Sequence, residues 1–416
     1  MQNPRSTPAN GRITIAASAA ASAAASALAA LALLGCADTS NVTDPDVTVG
    51  DTDGGTPGTG SDSGAGAVIA GRLHIAGANI VDGEGATVRL TGINWFGFET
   101  NTYALHGLAQ QPMNTLLDKI KTLGFNVIRV PFSSQLFDAG STPNGIDANK
   151  NPDLVGKTGP ELLDILITRA GERGLRIILD RHRPDSGAQS ELWYTTAYSE
   201  DRWISDWKTL ATRYKDNPTV VAFDLHNEPH GKATWGDGSM TTDWRLAAQR
   251  AGNAILAVDP DALIIVEGIE SVDNNYYWWG GNLRAAMTAP VQLSAPNHVI
   301  YSPHDYPASL FNQSWFTASN YPANLAALWD TTWGNLASTA PVLVGEFGTK
   351  LATDVDRKWL DSLTKYIAAK KMSFTFWSLN PDSGDTGGIL GDDWTTVNQD
   401  KMSYLTPILG PLLPVK

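Results

Sequence analysis

The chain has 416 residues, 42% of them hydrophobic, and a formal net charge of −13. Such a chain can bury a substantial core, and its negative charge argues against nucleic acid or an anionic lipid surface as a partner. Its single cysteine, Cys36, excludes an intramolecular disulfide. The sequence contains no HExxH, CxxC or EF-hand pattern, so we expect no metal site.

Residues 1–35 are typical of a secretory signal, because Arg5 and Arg12 precede an Ala-rich apolar stretch. This stretch is long enough to span a bilayer, but alanine contributes little to insertion, so a permanent span is the weaker interpretation. It ends in LLGC, which resembles the bacterial lipobox, whose cysteine receives lipid before cleavage in front of it. That resemblance implies a lipid on Cys36, and Ala37 in place of aspartate favours the outer membrane. A chance cysteine would leave an exported, extracellular protein.

Residues 36–66 are predicted to form a flexible tether. They are rich in Asp, Thr, Gly and Ser, contain no Lys or Arg, and offer too little apolar surface to fold. A lipid anchor would then be the chain's only membrane attachment. The remaining residues, 67–416, are predicted to form one folded domain, which we expect to be monomeric.

The folded domain begins with a hairpin pattern, RLHIAGANIVDGEGATVRL, and continues with apolar runs that alternate with amphipathic helical stretches. Eight such rounds argue for a (β/α)8 TIM barrel, an α/β fold, with a short N-terminal β-hairpin. An open, doubly wound sheet fits the periodicity equally well. The predicted strands are 88–94, 126–131, 176–182, 220–227, 263–267, 298–304, 342–346 and 374–379.

Two glutamates follow strongly apolar strands. Glu228 ends VVAFDLHNE and Glu346 ends VLVGE. The carboxyl ends of barrel strands carry the chemistry of this fold, so both side chains are expected in one cleft. A protonated carboxyl beside an ionised one is what glycosidic cleavage requires. Glu267 also ends a strand, but its neighbours are plain, and it is the weaker candidate.

Six motifs in order, GINWFGFET, LDRHRPD, HNEP, YSPHDY, GEFG and FWSLNPDSGDTGG, together resemble glycoside hydrolase family 5. The resemblance runs from about Arg72 to Leu413 and is strongest to bacterial secreted endo-β-1,4-glucanases (cellulases). It implies cofactor-free, retaining hydrolysis of internal β-1,4 bonds in cellulose or a related β-glucan, through a covalent glycosyl-enzyme intermediate. The same mechanism on mannan, mixed-linkage glucan or xyloglucan is one alternative. A glycan-binding protein that has lost catalysis is another.

The resemblance assigns roles to the residues that match these motifs. Glu228 is expected to be the acid/base and Glu346 the nucleophile. Asn227 is expected to donate to the sugar 2-hydroxyl, and Arg129 to hold the nucleophile ionised. Tyr306 is expected to orient the nucleophile.

Five further residues complete the predicted site. His304 is expected beside the acid/base, where it assists proton exchange, and His182 is expected to contact the sugar at the cleaved bond. Trp377 would form the floor under that sugar, because a flat ring covers the apolar face of a pyranose. Trp95 and Trp279 are expected to stack on sugars elsewhere in the cleft.

Overall fold

The computed structural model describes residues 71–413. The predicted signal, the predicted tether and Cys36 lie outside the described residues. Within them the strands, β1 to β12, are His74–Ala76, Asn79–Val81, Thr91–Asn94, Val127–Ser133, Arg176–Arg183, Val220–Asp224, Ile264–Glu267, Ser271–Val272, Asn275–Tyr276, Val299–Ser302, Leu343–Val344 and Ser373–Phe376.

The α-helices of the same part of the chain, α1 to α7, are Met113–Thr122, Gly159–Glu172, Glu200–Tyr214, Trp244–Leu256, Leu325–Thr332, Asp354–Ala369 and Gln399–Leu405. Short 3₁₀ helices cover Ser134–Phe137, Arg284–Met287, Ser314–Thr317, Gly334–Ser338 and Thr406–Ile408. Of the helices in residues 71–413, none is both long and apolar enough to cross a membrane.

Eight parallel strands form the central sheet, in the order β10, β7, β6, β5, β4, β3, β12, β11. The end strands β10 and β11 meet through two parallel bridges, Tyr301 with Val342 and His304 with Glu346. These bridges close the sheet, so the fold is the predicted (β/α)8 barrel and the open-sheet alternative is wrong. The second bridge also joins two of the predicted site residues.

The hairpin β1–β2 supplies apolar side chains to the inside of the barrel. Leu73, Ile75 and Ile80 share one buried cluster with inward residues of the barrel strands, including Ile178 and Ile265. Side chains of a strand alternate between its two faces, so the next inward position lies two residues further along each strand. That position is Arg129 after Val127, Asp180 after Ile178, Asp224 after Ala222 and Glu267 after Ile265. A layer of ionisable side chains therefore follows the apolar one.

Helix α2 shows how the outer layer attaches. A capping box begins it: the Thr158 side chain accepts from the backbone N–H of Glu161, whose carboxylate accepts from the N–H of Thr158. Leu162, Leu166 and Ala170 lie on one face of the helix and are buried. Such caps are each worth about 0.5–2 kcal/mol.

Candidate active site

A cleft of about 780 Å³ opens where the barrel strands end. Six of the residues predicted from the sequence line it: His182, Glu228, Trp279, Tyr306, Glu346 and Trp377. Three others, Arg129, Asn227 and His304, are fully buried directly beneath. The structure thus brings nine of the ten predicted site residues of the described region together.

The two candidate catalytic carboxylates are close neighbours. One oxygen of Glu228, one of Glu346 and a ring nitrogen of His304 all lie within 4.8 Å of one another. His304 Nδ1 is 3.0 Å from Glu228 Oε1 and 3.6 Å from Glu346 Oε2. Retaining glycosidases hold their carboxyl groups about 5 Å apart, whereas inverting ones leave about 6.5–9.5 Å for a water. The spacing here is that of the retaining class.

Glu228 has a left-handed backbone, with φ of 53°. A residue with a side chain rarely adopts this conformation, which costs on the order of 1–3 kcal/mol and persists only where its surroundings fix it. The Glu228 N–H donates to Glu267 Oε2 at 2.7 Å, and His230 Nδ1 lies 2.6 Å from the Glu228 carbonyl oxygen. These two contacts hold the backbone that aims the Glu228 carboxyl into the cleft.

Arg129 is the central cation of the site and is completely buried. Its guanidinium contacts four carboxylates: Glu346 Oε1 at 2.6 Å, Asp224 Oδ2 at 2.8 Å, Glu267 Oε1 at 3.0 Å and Asp180 Oδ2 at 3.1 Å. Burial lowers the pKa of Arg129, but these carboxylates outweigh burial and raise the pKa well above its ordinary value. The guanidinium therefore stays charged beside Glu346.

The acidic residues beneath the cleft resist ionisation. Burial raises the pKa of Glu267 to about 8, of Asp224 to about 7 and of Asp180 to about 6. Their oxygens lie within 4.8 Å of one another, a spacing that could also hold a metal ion. The guanidinium of Arg129 already supplies positive charge to all three.

Glu228 and His304 form a pair that shares a proton. Burial raises the pKa of Glu228, but the hydrogen bond and charge of His304 outweigh burial, and the pKa falls below its ordinary value. Burial likewise lowers the pKa of His304, but Glu267, Glu346 and Glu228 raise it well above the ordinary value. His304 Nε2 lies 3.3 Å from Glu267 Oε1 without hydrogen-bond alignment, so that contact acts through charge. The shared proton therefore rests on His304 in the free enzyme.

Polar side chains fix the remaining geometry. Tyr306 donates its hydroxyl to Glu346 Oε2 at 2.7 Å, and burial followed by the Glu346 charge raises the pKa of this tyrosine well above its usual value. Burial lowers the pKa of His182 to about 4, so its ring is neutral. Its Nδ1 is 2.6 Å from Asp180 Oδ2, an acceptor that places the ring proton on Nδ1.

Asn227 has a free donor. Its Oδ1 accepts from Arg129 Nη2 at 3.0 Å, which fixes the orientation of the amide. Its Nδ2 is buried and, among the described residues, has no hydrogen-bond partner. A buried amide N–H without a partner is costly, so a ligand hydroxyl is a natural acceptor for it.

Trp377 is nearly parallel to two neighbouring rings. Its centroid is 5.5 Å from that of Phe96 and 5.5 Å from that of His182, and each pair of planes is within 10° of parallel. Its Nε1 donates to Ser383 Oγ at 3.1 Å. All three rings line the cleft.

The prediction that Trp95 stacks on a sugar is wrong. Its side chain is completely buried, and its Nε1 donates to the carbonyl of His106. The alternation of a strand explains this, because Asn94 points inward to Arg129, Trp95 points outward into the helix layer and Phe96 points inward again. Phe96 takes the place in the cleft that was predicted for Trp95.

The acids around Arg129 lie outside the set of site residues predicted from the sequence. Asp180 and Asp224 have no predicted role, and Glu267 is only the weaker catalytic candidate, although all three surround Arg129. The available signal was positional, since each acid stands two residues after an inward apolar residue of its strand. One buried arginine facing several such positions predicts buried acids to neutralise it.

The fold is a (β/α)8 barrel, and its cleft holds two carboxylates at this spacing beside aromatic rings. This is the fold and active-site arrangement of a retaining glycoside hydrolase. The chain belongs to glycosyl hydrolase family 5, the cellulase family, whose family model matches residues 81–383.

Relatives share most of the chain. It is 54% identical over 356 residues to an endoglucanase of Paenibacillus polymyxa, covering 84% of this chain and 90% of the relative. It is 44% identical over 338 residues to the major extracellular endoglucanase of Xanthomonas campestris pv. campestris, covering 80% of this chain and 70% of the relative.

Solved structures agree with the fold. The catalytic domain of that Xanthomonas enzyme superposes with a TM-score of 0.78 at 42% identity, covering 81% of this chain and 99% of that chain. An endocellulase variant from Pyrococcus horikoshii, solved with cellotetraose, gives a TM-score of 0.77 at 38% identity and covers 82% of this chain and 98% of that chain.

Proposed function

We propose that the protein is a retaining endo-β-1,4-glucanase that cleaves internal bonds of a β-glucan. The main observation in support of this function is the Glu228–Glu346 pair, whose carboxylate oxygens lie within 4.8 Å of each other. Relatives named endoglucanase at 54% and 44% identity support the substrate class. The supporting residues are all present, which argues against a binding protein that has lost catalysis.

In the first step Glu346 attacks the anomeric carbon and the bond to the leaving sugar breaks. Arg129 and Tyr306 each donate to one oxygen of the Glu346 carboxylate, at 2.6 and 2.7 Å. They fix the direction of the nucleophile. Asn227 Nδ2 donates to the sugar 2-hydroxyl, a bond that strengthens in the oxocarbenium-like transition state.

Glu228 delivers the proton that the leaving oxygen needs. The proton resting on His304 Nδ1 crosses 3.0 Å to Glu228 Oε1, which passes it to that oxygen. In the second step Glu228, now a base, takes a proton from water. The water attacks the glycosyl-Glu346 ester, Glu346 leaves, and the product retains its configuration. The proton taken from water restores the Glu228–His304 pair.

This proposal is tested by reducing-end release and viscosity on carboxymethylcellulose, barley β-glucan and mannan. We expect a rapid fall in viscosity on the two glucans. Cleavage of mannan alone would keep the mechanism and overturn the substrate. Sugar binding without release of reducing ends would restore the binding-protein alternative.

We also propose that the protein is exported and anchored through lipid on Cys36, with residues 36–66 as a tether to a monomeric catalytic domain of residues 67–416. The name of the Xanthomonas relative, an extracellular endoglucanase, supports export. A Cys36→Ala substitution is expected to move the activity from the membrane fraction to the soluble fraction. Equal membrane association of both proteins would contradict the anchor.

In a plot of kcat/KM against pH, the decline at high pH (the alkaline limb) is expected to lie above the pKa range of an ordinary histidine. The acid is the Glu228–His304 pair, and its last shared proton leaves at the raised pKa of His304. A His304→Asn substitution leaves Glu228 alone to hold that proton, so the limb should move to lower pH by at least about one unit. A pH profile of kcat/KM on soluble glucan checks this, and an unmoved limb would contradict the shared proton.

A Trp377→Ala substitution is expected to lower kcat/KM on soluble glucan by roughly tenfold or more, because the sugar at the cleaved bond loses its stacking surface. Trp377→Phe keeps a flat ring and should recover a large part of the loss. Steady-state kinetics with all three proteins checks this order. Equal activity of the alanine and phenylalanine variants would contradict the stacking role.

A further inference from the structure

Two loops meet beside the acid/base, one after β6 and one after β9. His230, two residues past Glu228, stacks on Trp279 with ring centroids 3.8 Å apart and planes 8° apart. Trp279 is 43% exposed and lines the cleft, whereas His230 is not among the described residues that line it. The imidazole therefore covers one face of the indole, and the other face is open to the cleft.

The indole is also held at its edge. Trp279 Nε1 donates to Glu270 Oε1 at 3.2 Å, and Glu270 Oε2 accepts from the Gly231 N–H at 2.9 Å. His230 Nδ1 is 2.6 Å from the Glu228 carbonyl oxygen, which can only accept. The Trp279 ring is thus tied on both sides to the chain segment that carries Glu228.

The position of Trp279 relative to the cleaved bond follows from its neighbour. A Cβ on Gly280 would lie 3.1 Å from the Cα of Glu228, so this backbone packs directly against the acid/base. Glu228 protonates the sugar that leaves. The open face of Trp279 therefore belongs to the leaving-group side of the cleft.

We propose that His230 is a positioning residue that backs Trp279 as the platform for a glucosyl unit on the leaving-group side. It thereby sets a preference for substrates long enough to reach this platform. The inference rests on the proposed function and adds a determinant of substrate length. Without the His230 ring behind it, the Trp279 side chain would adopt several rotamers next to the open cleft. Binding a sugar would then require fixing one of these rotamers, which costs affinity.

Two substitutions separate the two contacts of His230. His230→Asn keeps a side-chain donor toward the Glu228 carbonyl and removes the ring, whereas His230→Phe keeps the ring and removes the donor. The probes are cellopentaose, which extends to both sides of the cleaved bond, and β-cellobiosyl fluoride, whose leaving group carries no sugar. The measurement is kcat and KM of the full-length protein and its variants on each probe.

We expect His230→Asn to lose roughly five- to tenfold in kcat/KM on cellopentaose, mostly through KM, and much less on the fluoride. His230→Phe keeps the stacked ring, so whatever activity it loses through the Glu228 carbonyl contact should be lost equally on both probes, and the ratio between the probes should stay at the wild-type value. In a Trp279→Ala background the asparagine substitution should cause little further loss, because there is no platform left to back.

The inference is overturned if His230→Asn retains the wild-type ratio between the two probes. It is also overturned if both variants lose both probes equally, since that pattern would place His230 in the support of Glu228 alone. A wild-type protein that hydrolyses the fluoride but neither cellopentaose nor glucan would instead overturn the proposed endo-glucanase function.

Discussion

A Glu346→Gln substitution is expected to lower kcat on soluble glucan by at least about ten-thousandfold, because the amide cannot form the glycosyl ester. The change is nearly isosteric: the amide oxygen can still accept from Arg129, and the amide nitrogen can donate to the hydroxyl oxygen of Tyr306. Folding should therefore survive. The free energy of unfolding, measured by chemical denaturation, separates a lost nucleophile from a lost fold.

Azide distinguishes the two glutamates. In a Glu346→Ala variant, azide should occupy the space of the nucleophile and give the α-glycosyl azide from an activated β-cellobioside. In a Glu228→Ala variant, the glycosyl-enzyme still forms from an activated leaving group, and azide should give the β-glycosyl azide. Product anomers assigned by NMR check this. The reversed pair of anomers would mean that the roles of Glu228 and Glu346 are exchanged.

The barrel was predictable because each strand is an apolar run, and amphipathic helical stretches separate these runs. All eight predicted strands are present, but several end earlier than predicted. The run 220–227, for example, is a strand only to Asp224. Past that point the chain no longer forms a regular strand, and Glu228, with its left-handed backbone, lines the cleft. The apolar pattern and the motif together therefore overstate the length of the strand.

The catalytic pair was predictable from motif and strand end, whereas its electrostatics were not. Which acid is ionised depends on distances across the barrel, such as the 3.0 Å between His304 and Glu228. Periodicity also contains the answer for Trp95, since it alternates with Asn94 and Phe96, but the motif match to aromatic cleft positions outweighed it. The His230–Trp279 stack joins two loops whose relative placement no local pattern encodes.

An Arg129→Met substitution is expected to lower the free energy of unfolding by about 3–5 kcal/mol, because it leaves buried carboxylates without their cation. It should also lower kcat by roughly a hundredfold or more, since Glu346 loses a charged donor at 2.6 Å. Removing the adjacent acid by Asp224→Asn should restore part of the stability of the variant and little of its activity. Denaturation and kinetics on the single and double variants check this pattern.

The stability deficit of Arg129→Met should depend on pH. Asp180, Asp224 and Glu267 have pKa values raised to about 6, 7 and 8 even with Arg129 present. An acid with a raised folded-state pKa binds more protons folded than unfolded, so its contribution to stability falls as pH rises between its unfolded and folded values. Without the guanidinium these values rise further, and the deficit should grow from about pH 5 to about pH 8. A deficit that is constant over this range would show that Arg129 acts through packing and not through charge.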